Sequence, residues 1–238
     1  VGSEMCIRDR HSVIHGTTLV TNTIIERTGA KVGLLCTDGF RDSIEIGRET
    51  RYDLYDLFLE TPALLVPRAL RLEIPERIAA DGRVLRPLDE AAVAAAARKL
   101  VEEEKVEAIA VAFLHSYHAP QHEKRAGEII RALYPTLSVS LSAEVAPEIR
   151  EFERSSTACA NAYVQPLMAR YLDRVQTSLE STGFRGQLYI MLSGGGITTV
   201  REAKDFPIRL IESGPAAGAM ASAFISRLAG LEHVVSFD

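Results

Sequence analysis

From residue 12 onward, short apolar runs alternate with stretches in which apolar residues recur every three or four positions. The apolar runs predict strands at 12–15, 31–36 (KVGLLC), 106–114 (VEAIAVAFL), 137–141, 187–192, 208–211 and, as one more beginning, 233–237. The helical spacing of Leu19, Val20, Ile24 and Ile25 predicts a helix over 17–27. Further helices are predicted at 89–104, where Asp89 stands as an N-cap before an alanine-rich body, and at 121–133. The longest opens at Pro147 or Glu148 and runs to about 182, with a break near Pro166 and Gly183 as its closing glycine. A last helix opens at the Gly214-Pro215 turn and reaches Leu228. Between 42 and 47 a single helical turn is expected. The stretch 48–89 holds four prolines and two extended segments, 71–78 and 84–88, around Asp81-Gly82, and reads as an excursion from the main sheet. This order of elements predicts an α/β protein with substantial parallel pairing. Residues 1–11 have neither periodicity nor caps and are expected to be a non-native leader.

Composition narrows the function classes. With 238 residues, 47% of them hydrophobic, the chain can bury a core, and a charged fraction of 25% is ordinary for a soluble protein. A net charge of -5 carries no basic excess of the kind nucleic-acid binding needs. No apolar run is long enough to span a bilayer, and the first ten residues lack the apolar core of a signal peptide. The three cysteines, Cys6, Cys36 and Cys159, have no short pairing; Cys36 and Cys159 read as small buried hydrophobes, and a cytoplasmic setting is expected.

Chemistry concentrates near the end of the chain. Glu212-Ser213-Gly214-Pro215-Ala216-Ala217 places an acidic residue at the end of an expected strand, before a helix small enough in side chain to lie close against a neighbour. The next expected strand ends in Asp238, and the carboxyl end of a parallel strand is where ligand crevices form. Thr17, Thr18 and Asn22 are candidates for binding substrate or phosphate at a helix start, against helix capping by either threonine. Arg48 is a candidate clamp for a carbonyl or carboxylate, against a surface ion pair. Ser193 and Gly194, Gly195 and Gly196 form a turn whose backbone can approach a ligand. Glu151, Glu153 and Arg154 read as structural ion pairs. His115, His118 and His122 have a spacing that suggests a metal site, but Pro120 and the strand end argue against the continuous helix it would need.

The terminal motif resembles the hinge helix and phosphate-hairpin strand of the actin-like ATPase superfamily. Other segments are similar to the hydantoinase A and 5-oxoprolinase family, which includes N-methylhydantoinase and acetone carboxylase subunits. They are His15-Gly16-Thr17-Thr18 with Thr21-Asn22; Gly33-Leu34-Leu35 with Thr37 to Asp42 and Ile46-Gly47-Arg48; Pro75-Glu76-Arg77 with Asp81-Gly82; Glu151 to Ser155 with Asn161-Ala162-Tyr163; and Ser193 to Gly196. The resemblance implies an actin-like ATPase (ribonuclease H-like) lobe with a mixed sheet and flanking helices, incomplete at both phosphate hairpins. It divides the chain into a hydantoinase/oxoprolinase N-terminal region at 12–150 and the start of the hydantoinase A ATPase region at 151–238. The implied reaction uses ATP and Mg²⁺ to phosphorylate a cyclic amide (hydantoin, 5-oxoproline, lactam) or a ketone before ring opening or carboxylation, with a hydantoinase B-type subunit or domain as partner in an oligomer. Asp238 and Glu212 would be the catalytic carboxylates, Asp238 a Mg²⁺ ligand, and Gly214 part of the phosphate-binding set. With its glycine hairpins missing or cut short, this polypeptide alone is expected to be inactive. A sugar-kinase relative and a non-catalytic actin-like assembly module are the alternatives.

Overall fold

The structure is a computed structural model that describes residues 10–49, 53, 55–60, 62–235 and 237. The chain divides into two compact units, Ala30–Pro166 and a second built from Val1–Gly29 with Leu167–Asp238.

The first unit is organised around four parallel strands: β2 (Val32–Thr37), β3 (Arg71–Ile74), β6 (Ala108–Ala112) and β7 (Ser138–Leu141), in the spatial order β3-β2-β6-β7. Every residue of β2 and β6 is buried, which is why these strands read as continuous apolar runs rather than alternating ones. Helix α3 (Glu90–Arg98) begins where Asp89 accepts from the N–H of Ala92 at 2.9 Å, and continues into a π-helical turn at Lys99–Glu103. Helix α4 (Gln121–Leu133) has the predicted bounds. A single-turn helix α2 (Ser43–Ile46) follows β2, and a small antiparallel hairpin pairs β4 (Arg77–Ile78) with β5 (Val84–Arg86).

The second unit holds a three-stranded mixed sheet in the order β1-β8-β9. Here β1 (Ser12–His15) runs parallel to β8 (Gln187–Met191), and β8 turns back antiparallel into β9 (Ile197–Thr199). Helix α1 (Leu19–Ile25) follows β1, α7 (Val200–Asp205) follows β9, and α8 (Ser213–Leu228) is the last element. Helix α6 (Glu151–Ser181) contributes its first half to one unit and its second half to the other. It ends in a Schellman cap: Gly183, at φ 84°, gives its N–H to Glu180 O, and Phe184 gives its own to Leu179 O.

The α/β class with its parallel and mixed sheets stands as expected, and several local expectations are corrected. The segment 71–74 is no excursion: it pairs with β2 in the main sheet, Leu34 opposite Arg71 and Thr37 opposite Ile74, and only the β4–β5 hairpin stands apart. Helix α6 starts at Glu151 rather than 147 or 148, after a one-turn helix α5 (Ser142–Val145), and passes through Pro166 without ending. Val164, Met168 and Leu172 are fully buried on either side of the proline, and that packing offsets the lost backbone bond. The expected strand at 208–211 is a 3₁₀ turn, Pro207–Leu210; proline brings no ladder donor, and its fixed φ suits a first helical turn. The described residues of 233–237 form no strand, and Val235 and Phe237 stay exposed at 78% and 93%. The β8–β9 hairpin and α7 went unforeseen.

The carboxyl edge of the parallel sheet is closed by buried polar side chains. Glu123, wholly buried on α4, accepts from the N–H of Phe113 at 2.7 Å, from Ser142 Oγ at 2.5 Å and from the N–H of Ala143 at 2.9 Å. Burial pushes its carboxyl above the ordinary range, opposed by these hydrogen bonds. Arg154, 2% exposed, donates to Ser142 Oγ at 3.0 Å and to Phe113 O at 2.5 Å, and its guanidinium lies over the Tyr117 ring. Beside it Glu76 accepts from Thr37 Oγ1 and is paired at 2.7 Å with His122 Nδ1, while Thr37 Oγ1 accepts from the N–H of Leu114.

Arg154→Ala removes these donors and leaves Glu123 buried without nearby positive charge. It is expected to lower stability by about 3–5 kcal/mol. Arg48→Ala, which breaks an exposed pair with Glu153, is expected to cost less than about 1 kcal/mol. Urea denaturation midpoints of the two variants measure this contrast, and equal shifts contradict it.

Candidate functional site

The carboxyl ends of the parallel strands β1 and β8 share one edge of their sheet, and each leads into a loop made of predicted site residues. After β1 come Gly16, Thr17 and Thr18, then the short helix α1. After β8 come Leu192, Ser193 and the three glycines. A third segment, 212–214, enters α8 against the first.

The β1–α1 loop and the start of α8 interlock over successive residues. The N–H of Glu212 donates to Thr21 Oγ1 at 3.1 Å. Ser213, with no solvent exposure, donates its hydroxyl to Thr17 O at 3.0 Å. A Cβ on Gly214 would stand 3.0 Å from the Thr18 methyl, so only a residue without a side chain fits without displacement. One turn later, a Cβ on Gly16 would meet the Ala217 methyl at 3.8 Å, an ordinary contact. The small residues of the terminal motif are therefore used for close approach. Glu212 itself takes a left-handed conformation, φ 59° and ψ 18°, and its side chain makes no capping bond.

The second loop is held from within. Leu192 donates its N–H to Gly196 O at 2.8 Å and Gly195 donates to Leu192 O at 3.0 Å. Both the N–H and the hydroxyl of Ser193 donate to Arg209 O, each at 3.0 Å. Gly195 has φ 81° and packs against the Met220 sulfur, whereas Gly194 is exposed with nothing within 4 Å of where a Cβ would be. Backbone at Gly194 is thus open to a ligand.

The remaining predicted residues fall as follows. Thr18 is the N-cap of α1 without a side-chain cap bond; Thr17 Oγ1 accepts from the N–H of Leu19 at 3.2 Å, and Asn22 Nδ2 donates to Thr18 Oγ1 at 3.4 Å. Arg48 lies in the unit of the parallel sheet, where Glu153 engages its guanidinium. Asp238 lies outside the described residues. Among the described residues no group of three or more His, Cys, Asp or Glu is placed to hold a metal ion. Cys36 and Cys159 are buried, and burial pushes both thiols up to about 12.

Sequence reasoning did not single out His15, Thr21 or Ser213 for a role. His15 closes β1, and its Nε2 lies 2.7 Å from the Tyr171 hydroxyl; burial lowers its pKa. Ser213 sits between two residues of the motif, and its full burial is a tertiary property with no local signal. A groove of about 470 Å³ on the same unit lies at the opposite, amino end of β8, lined by Gln176, Phe184, Arg185, Tyr189 and Arg201 among others. It contains none of the predicted residues.

Two family models match the chain: the hydantoinase/oxoprolinase N-terminal region over residues 6–134, and hydantoinase/oxoprolinase over residues 154–238. The chain belongs to the hydantoinase/oxoprolinase family. Among family relatives, an uncharacterised protein of Methanocaldococcus jannaschii is 43% identical over 229 residues, 95% of this chain and 34% of its own length. The caprolactamase subunit alpha of Pseudomonas jessenii is 39% identical over 234 residues, 98% of this chain and 34% of its own. The crystal structure of the ATP-dependent caprolactamase from that organism superposes with a TM-score of 0.86 over 96% of this chain and 33% of the other. A nucleotide-free acetone carboxylase structure, 25% identical, superposes with a TM-score of 0.83, covering 94% of this chain and 33% of its own. The chain thus spans about a third of the length of these relatives. The fold is the actin-like α/β type shared with the caprolactamase and acetone carboxylase structures.

The two glycines of the β8–β9 loop differ in what a side chain would meet. Gly195→Ala forces a side chain onto φ 81° and is expected to destabilise by about 1 kcal/mol or more. Gly194→Ala meets open space and is expected to stay within about 0.5 kcal/mol of the parent. Thermal unfolding of both variants checks the pair.

Proposed function

We propose that the chain is the nucleotide-handling part of an ATP-dependent enzyme that activates a cyclic amide by phosphorylating its carbonyl oxygen before ring opening. The observation that carries this reading is the gathering of the His15–Thr18 loop and the Glu212–Gly214 segment at the carboxyl edge of β1 and β8. It is supported by 39% identity to a caprolactamase subunit whose enzyme is described as ATP-dependent.

A lactam nitrogen is a poor leaving group and its carbonyl is unreactive toward water. Transfer of a phosphoryl group to the carbonyl oxygen makes the carbonyl carbon electrophilic; water adds there, the C–N bond breaks as the ring nitrogen takes up a proton, and the acyl phosphate so formed is hydrolysed to carboxylate and inorganic phosphate. Such transfer depends on positioning and charge neutralisation more than on covalent help from the protein. The residues present suit a phosphate-bearing ligand. Thr17 and Thr18 offer hydroxyls, the Gly194 backbone is open, and the Glu212 carboxylate is exposed. Thr17, Thr18, Asn22, Gly194 and Gly214 would hold the nucleotide phosphates, and ATP supplies the transferable phosphoryl group when bound. Asp238 and Glu212 are assigned to Mg²⁺ binding or to orienting the attacking oxygen. Ring-opening hydrolysis is assigned to a B-type partner subunit or domain within an oligomer. The likeness to acetone carboxylase supports a second substrate class, a ketone activated for carboxylation in the same way.

The test is phosphate release by the complete two-component enzyme over a panel of lactams, hydantoins and ketones with bicarbonate. Release is expected only with a carbonyl substrate present, and Asp238→Ala is expected to slow it by about 100-fold or more. Unchanged turnover in that variant removes Asp238 from the catalytic set. Absence of ATP turnover with every substrate defeats the ATP-dependent reading.

A further inference from the structure

Glu212 is an unusual residue to begin a helix. An N-cap normally has extended backbone and a short side chain that accepts from the first turn. Glu212 is left-handed and its carboxylate makes no such bond; it is exposed, with no hydrogen-bond or ion-pair partner among the described residues. A non-glycine residue persists in that conformation only where its surroundings impose it. On its C-terminal side Ser213 is fixed by its buried hydroxyl, which donates to Thr17 O, and Gly214 lies against Thr18. Its own N–H is fixed by Thr21 Oγ1, reached from α1.

On the ATP-dependent reading above, we infer that Thr21 is the positioning residue for Glu212. Its hydroxyl oxygen takes the N–H of Glu212, and so holds the left-handed turn from which the unpaired Glu212 carboxylate projects. Thr21 touches no reacting atom in this scheme; it acts through the backbone of Glu212. The methyl of Thr21 is dispensable and its oxygen is not.

Three variants test this in the complete enzyme. Thr21→Val keeps shape and removes the acceptor; it is expected to lower kcat for phosphate release about tenfold while KM for ATP stays within about twofold. Thr21→Ser is expected to restore kcat. In a Glu212→Ala background, Thr21→Val is expected to add nothing, because both changes remove one device. A loss that is equally large in both backgrounds, or no loss at all, overturns the inference. An activity-independent arm reads the Glu212 amide by hydrogen exchange: Thr21→Val is expected to speed it about tenfold at unchanged melting temperature. Unchanged exchange overturns the inference even if the parent enzyme turns over ATP. Faster exchange in an enzyme that turns over no ATP keeps the Thr21–Glu212 contact and defeats the function proposed for it.

Discussion

The parallel sheet depends on a buried, charge-bearing cluster: Ser142 Oγ receives a hydrogen bond from buried Arg154 and gives one to buried Glu123. Burying either charge alone would be costly, because an ion loses its hydration and gains nothing in return. Together, and with the Phe113 peptide and the N–H of Ala143 as further partners, they join α4, the end of β6, the start of α5 and the start of α6. Glu76, with Thr37 and His122, does the same for the ends of β2 and β3. Open α/β sheets usually keep this edge free for ligands. Here side chains of the protein itself occupy it, so the parallel sheet acts as a scaffold.

The mixed sheet of the other unit keeps its carboxyl edge for backbone-rich loops. Small residues make that possible: Gly16, Gly214 and Ala217 let α8 approach the β1–α1 loop closely, and Ser213 supplies the bond between them. A phosphate group is best recognised by such surfaces, since backbone amides and hydroxyls can surround it without long side chains in the way. Both halves of the molecule thus obey the same rule about strand ends and use it in opposite ways.

Much of this was legible in the residues. The runs at 31–36 and 106–114 gave two central strands because buried parallel strands leave an unbroken apolar signature, and Asp89 and Gly183 marked helix ends by local capping chemistry. What was hidden depends on contacts distant in sequence. Arg71–Ile74 was read as an extended segment of an excursion because the stretch 48–89 around it holds four prolines, yet its partner is β2. The run at 208–211 looked like a strand, but a strand needs a neighbour, and Pro207 sets a 3₁₀ turn instead. Thr17, Thr18 and Glu212 were legible as candidates from the motif, whereas Thr21 and Ser213 gained their roles only through the fold. Arg154 was read as a structural charge, and its burial shows how large a structural role that is.

The pairing of Ser12 with Gln187 bears on how the chain emerges from the ribosome. Strand β1 is made before the parallel-sheet unit, yet the strand that completes its hydrogen bonds is made after it. The parallel sheet lies wholly within Ala30–Pro166 and has all its strands well before then. During synthesis the early segment must wait, its backbone unsatisfied, while the intervening unit collapses.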